Sequence, residues 1–306
     1  MSGAAASRRP GAVRLFEVGP RDGLQNEALL VPLEQKLRFV EQLIAAGLSD
    51  IEVGAFVHPK WVPQMADADE LVRRLPAREG VRYWALVPNE RGLDRALAAG
   101  AAHLGLLASA SETHSRKNIN RSVDRVRAEN RRVAARALAA GATLRGYVSV
   151  AFGCPYEGEV PLDRVLRLAE GYLEMGVAQV ALGDTTGMAE PDQIRRAAGR
   201  ALDAFGAERI AFHLHDTRGT GLVHALTALE EGVTTLDAST GGIGGCPYAP
   251  GAAGNLATED LLYLLDRLGI GTGVGLEGIV AASQWLRDEL GLAIPSRYFR
   301  FAIADR

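Results

Sequence analysis

The sequence predicts an α/β fold, a (β/α)8 TIM barrel with a C-terminal helical appendage, and three observations support this prediction. Short runs rich in β-branched and apolar residues alternate with helical stretches along the chain, which is typical of a parallel sheet with right-handed crossovers. Eight such β–α units can be distinguished, and this number matches a closed barrel. The chain has 306 residues, which accommodates a barrel and leaves the segment from about 275 to 306 for additional helices.

The eight predicted strands are short apolar runs, and several of them are followed by Gly, Pro, Asp or Asn residues that indicate turns. Polar residues unusual for a core cluster directly after these runs, where a barrel places its catalytic groups. The predicted strands cover residues 13–18, 50–56, 82–87, 103–110, 145–153, 179–184, 209–215 and 234–240.

The intervening stretches have the spacing of amphipathic helices. In the segment 34–47, Leu37, Val40, Leu43 and Ile44 fall on one stripe. An open doubly wound sheet is the alternative architecture, but no GxGxxG motif opens the first helix and eight units is a high count for such a sheet. Four later helices are predicted to end at a glycine, the usual C-terminal stop, at Gly100, Gly141, Gly176 and Gly232.

The composition is that of a globular protein with a large core. Hydrophobic residues make up 47% of the chain and charged residues 23%, and the formal net charge is −3. This charge gives no indication of binding to nucleic acid. No apolar run approaches the roughly 18 residues that a membrane-spanning helix needs, so we expect no membrane association.

Cysteine content and the N-terminal sequence indicate the compartment. Cys154 and Cys246 are too few for a disulfide scaffold, which favours a reducing interior. The first residues lack the apolar stretch of a secretory signal, so we expect residues 1–12 to form a flexible tail and the protein to be cytoplasmic. Because no linker or repeat interrupts the pattern, residues 1–306 are interpreted as a single domain.

Two histidines stand at the end of the seventh predicted strand, in the sequence AFHLHD. Side chains two residues apart on a strand point the same way, so His213 and His215 face the barrel axis if Phe212 and Leu214 face the helices. A single histidine there would most often be a satisfied core residue. Two imidazoles directed to one place favour a metal site, since imidazole is the commonest protein ligand for metals.

Asp22 and Asn255 supply oxygen atoms at neighbouring strand ends. Asp22 follows the first strand within GPRDG, and Asn255 ends a glycine-rich loop after the eighth strand. Each could instead be a helix N-cap, and Asp22 could form a salt bridge. Combined with the two histidines, oxygen ligands without a thiolate suit Mg²⁺ or Mn²⁺, and catalytic zinc stays open as an alternative.

The loop that contains Cys246, GGIGGCPYAPGAAGN, is rich in glycine and follows the eighth strand. A cysteine in such a loop is a poor structural choice and a plausible acid–base group. Cys154 occurs in a similar sequence, GCPYEG, and is assigned a structural role as a small buried residue.

Two acidic residues are predicted to lie next to the metal-binding residues without binding the metal themselves. Glu52 lies among apolar residues on the second strand and faces inward if Ile51 and Val53 face the helices. A buried carboxylate needs a partner, which Arg21 or a metal-bound water would supply. Asp184, in GDTTG at the end of the sixth strand, is assigned to the same supporting shell.

These motifs resemble those of the 3-hydroxy-3-methylglutaryl-CoA lyase family, a branch of the TIM-barrel metallolyases that also include Claisen-type synthases. The resemblance extends from about residue 13 to residue 290. The pairing of RDG with HxH is typical of the superfamily, whereas GPRDGLQNE together with GGCPYAPGAAGN is more specific to the lyase branch. It is carried by the segments FEVGPRDGLQNE, PKWVPQMAD, GCPYEG, GDTTG, HLHDT and GGCPYAPGAAGNLATEDL.

The resemblance implies metal-dependent cleavage of 3-hydroxy-3-methylglutaryl-CoA to acetyl-CoA and acetoacetate, as in leucine degradation and ketone body metabolism. It implies that Asp22, His213, His215 and Asn255 bind the divalent metal. Arg21 would polarise the thioester carbonyl, and Cys246 would protonate the enolate. Asp22, or a water molecule that it positions, would accept the hydroxyl proton, with His213 as the rival base. A homo-oligomer, a dimer or larger, is also expected.

The chain departs from the family pattern at several positions near the expected acyl and CoA sites, among them Ala28, Ala55, His58 and the run Thr113–Ser115. A lyase for a related branched 3-hydroxyacyl-CoA is therefore an alternative. A synthase that condenses acetyl-CoA with a 2-oxo acid is disfavoured by GPRDGLQ at the first strand. An amidohydrolase-type enzyme is disfavoured by the position of HxH on strand seven, and a non-catalytic metal-binding protein by the intact set of polar residues.

Overall fold

The computed structural model describes residues 8–244 and 254–304, and its centre is a closed barrel of eight parallel strands. Each strand pairs with the next along the chain, and the first pairs with the eighth. The predicted (β/α)8 architecture is therefore confirmed. The strands are β1 (Arg14–Glu17), β2 (Asp50–Ala55), β3 (Arg82–Leu86), β4 (His103–Ser109), β5 (Thr143–Ser149), β6 (Gln179–Gly183), β7 (Ile210–His213) and β8 (Thr235–Ala238).

Several strands are shorter than the apolar runs that predicted them. The run at 209–215 forms a regular strand only as far as His213. Beyond that point its backbone pairs with the segment after the eighth strand: Leu256 donates its N–H to the Leu214 carbonyl at 3.1 Å, and His215 forms a bridge with Asn255. The chain thus leaves the barrel between His213 and His215.

The helices surround the barrel and bury their apolar stripes against it, as their amphipathic spacing predicts. The segment expected at 34–47 forms the first helix. Glycines follow as predicted after the third, fifth, sixth and eighth helices, with positive φ angles such as 86° at Gly100, which suit a residue without a Cβ. The helices up to the eighth strand are α1 (Leu33–Ala45), α2 (Ala68–Arg74), α3 (Glu90–Ala98), α4 (Glu112–Ile119), α5 (Val123–Ala139), α6 (Leu162–Glu174), α7 (Pro191–Phe205) and α8 (Gly221–Glu230).

The remaining chain forms α9 (Thr258–Arg267), α10 (Leu276–Leu290) and α11 (Arg297–Ile303), of which the last two are the predicted appendage. Trp285 of α10 stacks on Phe39 of α1 with ring centroids 6.2 Å apart. This contact fixes the appendage to the barrel.

The described part of the N-terminal segment contacts the barrel. The Val13 N–H donates to the Gly271 carbonyl at 2.9 Å, and the Gly271 N–H donates to the Gly11 carbonyl at 3.0 Å. Arg9 forms an ion pair with Glu230 at 2.6 Å. The residues nearest the barrel within the expected tail of 1–12 are thus held by specific bonds. Among the described residues, no helix is both long and apolar enough to cross a membrane.

Close packing between β5 and α6 leaves no room for a side chain at Gly146. A Cβ added there would lie 2.9 Å from the ring of Tyr172, and this ring cannot easily retreat because its hydroxyl accepts a hydrogen bond from Asn130 at 2.8 Å. We expect Gly146→Ala to destabilise the protein by about 1–3 kcal/mol, measured as a lower midpoint of urea unfolding.

Gly199→Ala is the matched control. Gly199 lies inside α7, and the nearest atom to an added Cβ is Glu231 Oε2 at 3.6 Å. Alanine is the better helix former, so this variant should gain about 0.5–1 kcal/mol. A Gly146→Ala midpoint equal to that of the wild type would contradict the packing argument.

Candidate active site

The polar residues predicted at the strand ends meet at the C-terminal mouth of the barrel. The GPRDG sequence forms a tight turn, Gly19–Gly23, directly after β1. Three successive amides of the turn donate to the Val18 carbonyl, and the shortest bond comes from Asp22 at 2.7 Å. At Gly23 an added Cβ would lie 2.7 Å from Ile243 Cγ1, so glycine is required for this turn to approach the chain after β8.

Arg21 is held in place by two carboxylates and an aromatic ring. Its Nε donates to Glu52 Oε2 at 2.6 Å, and its Nη1 donates to Asp22 Oδ1 at 2.5 Å. Tyr147 donates its hydroxyl to the other oxygen of Glu52 at 3.1 Å, and the Arg21 guanidinium lies 6.0 Å from the Tyr147 ring centroid. Glu52 therefore faces inward, and Arg21 is the partner that its burial requires.

Asp22, His213, His215 and Asn255 form one compact cluster. The Nε2 atoms of the two histidines lie 3.1 Å apart, and His213 Nε2 lies 3.9 Å from Asp22 Oδ2. One ligand atom from each of Asp22, His213 and His215 lies within 4.8 Å of the other two. The Asn255 amide donates to Asp22 Oδ2 at 3.1 Å and to the Ile243 carbonyl at 3.2 Å.

The environment of the cluster favours the metal-binding forms of two of its side chains. Burial opposes ionisation of Asp22, but Arg21 and the nearby imidazoles outweigh it and lower the pKa of this carboxyl to about 2. Burial, followed by the charge of His213, lowers the pKa of His215 to about 3, so this ring is neutral at neutral pH. Burial would also lower the pKa of His213, but the contact with Asp237 outweighs it and raises the value.

The donor set fits a divalent cation. Asn255 Oδ1 is buried and accepts no hydrogen bond from any described residue. An unsatisfied buried carbonyl costs free energy, and two imidazole nitrogens facing each other at 3.1 Å can share at most one proton. A cation among one carboxylate, one amide oxygen and two imidazoles would satisfy all of these atoms at once.

His213 also contacts a buried ion pair that the sequence analysis did not single out. Its Nδ1 lies 3.3 Å from Asp237 Oδ2 on β8. Asp237 in turn accepts two bonds from Arg145 on β5, at 3.0 and 2.6 Å, through the barrel interior. The period-two rule that aligned the histidines places Arg145 and Tyr147 on one strand face, but it could not have identified Asp237 as the partner of Arg145.

A cavity opens from this cluster towards solvent, and its walls differ in character. Leu86, Leu107 and Val148 form an apolar side, whereas Asn118 and His114 of α4 add polar groups. Burial lowers the pKa of His114 to about 4, so its ring is neutral. The cavity can therefore accept a ligand with both aliphatic and polar parts beside the cluster.

The other predicted residues lie outside the cluster. The Asp184 carboxylate accepts from the Ala189 amide at 3.1 Å and lies 3.7 Å from His224 Nδ1, and only its backbone N–H reaches His213, donating to the carbonyl at 2.8 Å. Cys154 is buried and donates to Ser111 Oγ at 3.0 Å. Cys246 lies outside the described residues.

Comparison with known proteins identifies relatives that span nearly the whole chain. A hydroxymethylglutaryl-CoA lyase of Bacillus subtilis is 47% identical over 288 residues, which covers 94% of this chain and 96% of the relative. A crystal structure of a B. subtilis HMG-CoA lyase superposes with a TM-score of 0.94 at 46% identity, covering 96% of this chain and 99% of that one. An HMG-CoA lyase from Acinetobacter baumannii, solved in complex with coenzyme A and 3-methylmalate, gives a TM-score of 0.90 at 38% identity and covers 96% and 95% of the two chains.

The family model described as HMGL-like matches residues 12–286, which is most of the chain. Together with these identities and the shared fold, this match shows that the chain belongs to the HMGL-like family.

Proposed function

We propose that this protein cleaves 3-hydroxy-3-methylglutaryl-CoA to acetyl-CoA and acetoacetate with the help of a divalent cation. The observation that carries the proposal is the convergence of Asp22, His213 and His215, together with the unsatisfied Asn255 carbonyl, beside a buried arginine. Relatives at 44–47% identity are named for this activity, and a similar structure holds coenzyme A. The substrate is accordingly an acyl-CoA thioester.

Asp22, His213, His215 and Asn255 would hold the cation. Their ligand atoms are two nitrogens and two oxygens without a thiolate, which favours Mg²⁺ or Mn²⁺ over structural zinc. When bound, the ion supplies a concentrated positive charge that favours loss of a proton from a hydroxyl group close to it.

Arg21 would stabilise the negative charge that develops on the thioester oxygen when the carbon–carbon bond breaks. Its guanidinium is already fixed by Glu52 and Asp22, so little reorganisation is needed at the moment of reaction. Arginine is always charged and presents several donors in a rigid plane, and a donor can turn to the substrate while another keeps its contact with Glu52.

We assign acceptance of the hydroxyl proton to Asp22. A carboxylate can bind a cation through one oxygen and accept a proton on the other, whereas His213 has Nε2 directed at the cluster and Nδ1 directed at Asp237. The low pKa of Asp22 makes it a weak base, so the transfer depends on prior acidification of the hydroxyl by neighbouring positive charge.

Cys246 is assigned as the acid that protonates the enolate carbon to release acetyl-CoA. The chain geometry supports this assignment, because both ends of the loop that contains it are anchored at the site. A Cβ on Gly244 would lie 3.1 Å from the Asp22 carbonyl, and Gly254 accepts a bond from the Asp216 amide at 2.7 Å.

The direct test is a panel of branched 3-hydroxyacyl-CoA thioesters with Mg²⁺ or Mn²⁺, scored for release of acetyl-CoA. We expect the highest kcat/KM with 3-hydroxy-3-methylglutaryl-CoA and loss of activity on chelation. Condensation of acetyl-CoA with a 2-oxo acid serves as the comparison reaction. A preference for another acyl group, or for the condensation, would replace the proposal.

Arg21→Lys tests the role assigned to the guanidinium. Lysine keeps the charge but cannot contact Glu52, Asp22 and the substrate together, so kcat should fall by about 10²-fold with a small change in KM. Arg82→Lys is the control, since Arg82 pairs with the buried Asp50 on a strand end away from the cluster. Equal kcat values for both variants would contradict the assignment.

Asn255→Ala tests the cation site without an activity assay. Removal of the unsatisfied carbonyl should weaken Mn²⁺ binding by at least about 10-fold in isothermal titration calorimetry. Asn130→Ala removes another buried asparagine, which donates to Tyr172 and to the Leu107 carbonyl rather than to a member of the cluster, and should leave Mn²⁺ affinity unchanged. Unchanged affinity in Asn255→Ala would exclude this residue as a ligand.

A further inference from the structure

The ion pair beneath the histidines reaches across the barrel interior. Arg145 belongs to β5 and Asp237 to β8, and these strands are not neighbours in the closed barrel. Both carboxylate oxygens of Asp237 accept from the guanidinium, and both residues are about 1% exposed. Such a bidentate pair fixes the plane of the carboxylate as well as its position.

Arg145 is itself held on several sides, so the pair cannot turn as a unit. Its Nε lies 3.3 Å from Gln179 Oε1, and its guanidinium lies 3.8 Å from the Phe16 ring centroid and 4.8 Å from that of Tyr147. The strand register sets His213 opposite Asp237 on the adjacent strand. The carboxylate is therefore fixed in place beside the imidazole.

The chemistry of the pair determines what Asp237 can offer to His213. Arginine has donors and no acceptor, so the carboxylate beside it remains ionised and acts only as an acceptor. Nδ1 of His213 lies 3.3 Å from Asp237 Oδ2, just beyond the usual N–H···O range of about 2.7–3.2 Å, and it forms no closer hydrogen bond with any described residue. The negative charge of the carboxylate at this distance favours a proton on Nδ1. The favoured neutral form of His213 thus has its proton on Nδ1, which leaves the lone pair of Nε2 directed at Asp22 and His215.

We propose that Asp237, fixed by Arg145, is a positioning residue that keeps the His213 proton on Nδ1 and so leaves Nε2 free to bind the divalent cation. This inference rests on the proposed function only for the identity of the bound ion. Asp237 itself touches neither the cation nor the substrate. It acts through His213, as carboxylates behind metal-binding histidines commonly do.

The test uses Asp237→Asn, in which an amide replaces the carboxylate at nearly the same size. The amide oxygen can keep one bond to Arg145, while its NH₂ group can donate to His213 Nδ1 and shift the ring proton to Nε2. We expect Mn²⁺ affinity to fall by about 10–100-fold in calorimetry. In two-dimensional ¹⁵N–¹H spectra of histidine-labelled protein at alkaline pH, the His213 pattern should change from the Nδ1–H to the Nε2–H tautomer.

Asp50→Asn is the matched control. Asp50 is also a fully buried strand carboxylate paired with an arginine, Arg82, and its loss should cost comparable stability. Among the described residues it contacts neither His213 nor His215, so Mn²⁺ affinity and the His213 signal should stay as in the wild type. A His213→Gln spectrum assigns the signal among the six histidines of the chain.

The outcomes separate this inference from the proposed function. If Asp237→Asn keeps the tautomer and the Mn²⁺ affinity, or if metal-free wild type shows the Nε2–H tautomer, the inference is overturned while lyase activity can stand. If the wild type has the Nδ1–H tautomer but cleaves no 3-hydroxyacyl-CoA, the proposed function fails and the positioning role is supported. If the variant does not fold, the His213 tautomer in the spectrum of the metal-free wild type still tests the inference.

Discussion

Charge pairing inside the barrel is the constraint on which the site depends. Arg145 and Asp237 neutralise each other in the middle of the barrel, and Arg21 stands between Glu52 and Asp22 above them. Burial of an ion is costly, and removal of one partner from a buried pair typically costs about 3–5 kcal/mol because the other charge is left alone. Loss of a charged partner near the mouth would therefore destabilise the fold as well as displace the side chain that it holds.

This constraint explains why the interior of the barrel is polar over much of its height. In many barrels of this kind, branched apolar side chains fill the interior. Here the Phe16 ring packs against the Arg145 guanidinium, and the Trp84 ring packs against Phe16 with the ring centroids 5.6 Å apart. The aromatic rings exclude water from the pairs and so strengthen the hydrogen bonds that orient Arg145 and its partner.

Alternation of side chains along strands made much of the site predictable. His213 and Glu52 face inward as their sequence positions imply, because one face of each strand must meet the helices. Arg145 and Asp237 follow the same rule, but charged residues in the middle of apolar runs do not indicate a function until their partners are known. Which strands face each other is a property of the closed barrel, and it becomes visible only in three dimensions.

The prediction for Asp184 shows a second limit of sequence reasoning. It follows β6 as the functional residues follow their own strands, yet its carboxylate turns to the Ala189 amide and towards His224. Burial raises its pKa to about 7, while the two amides that bond to it have the opposite effect. A position at a strand end places a residue at the correct edge of the barrel, but the loop that follows decides the direction of the side chain.

The balance of charge gives a physical reason for a cation at this site. Arg21 and Arg145 face Asp22, Glu52 and Asp237, so two positive charges meet three negative ones when all are ionised. A neutral His215 adds nothing to offset the excess, and His213, whose pKa is raised beside Asp237, offsets it only while both of its ring nitrogens carry a proton. A divalent ion would convert this surplus negative charge into a surplus positive one beside Arg21. The same site that attracts the cation when empty would then attract the negative charge that forms on an acyl-CoA during cleavage.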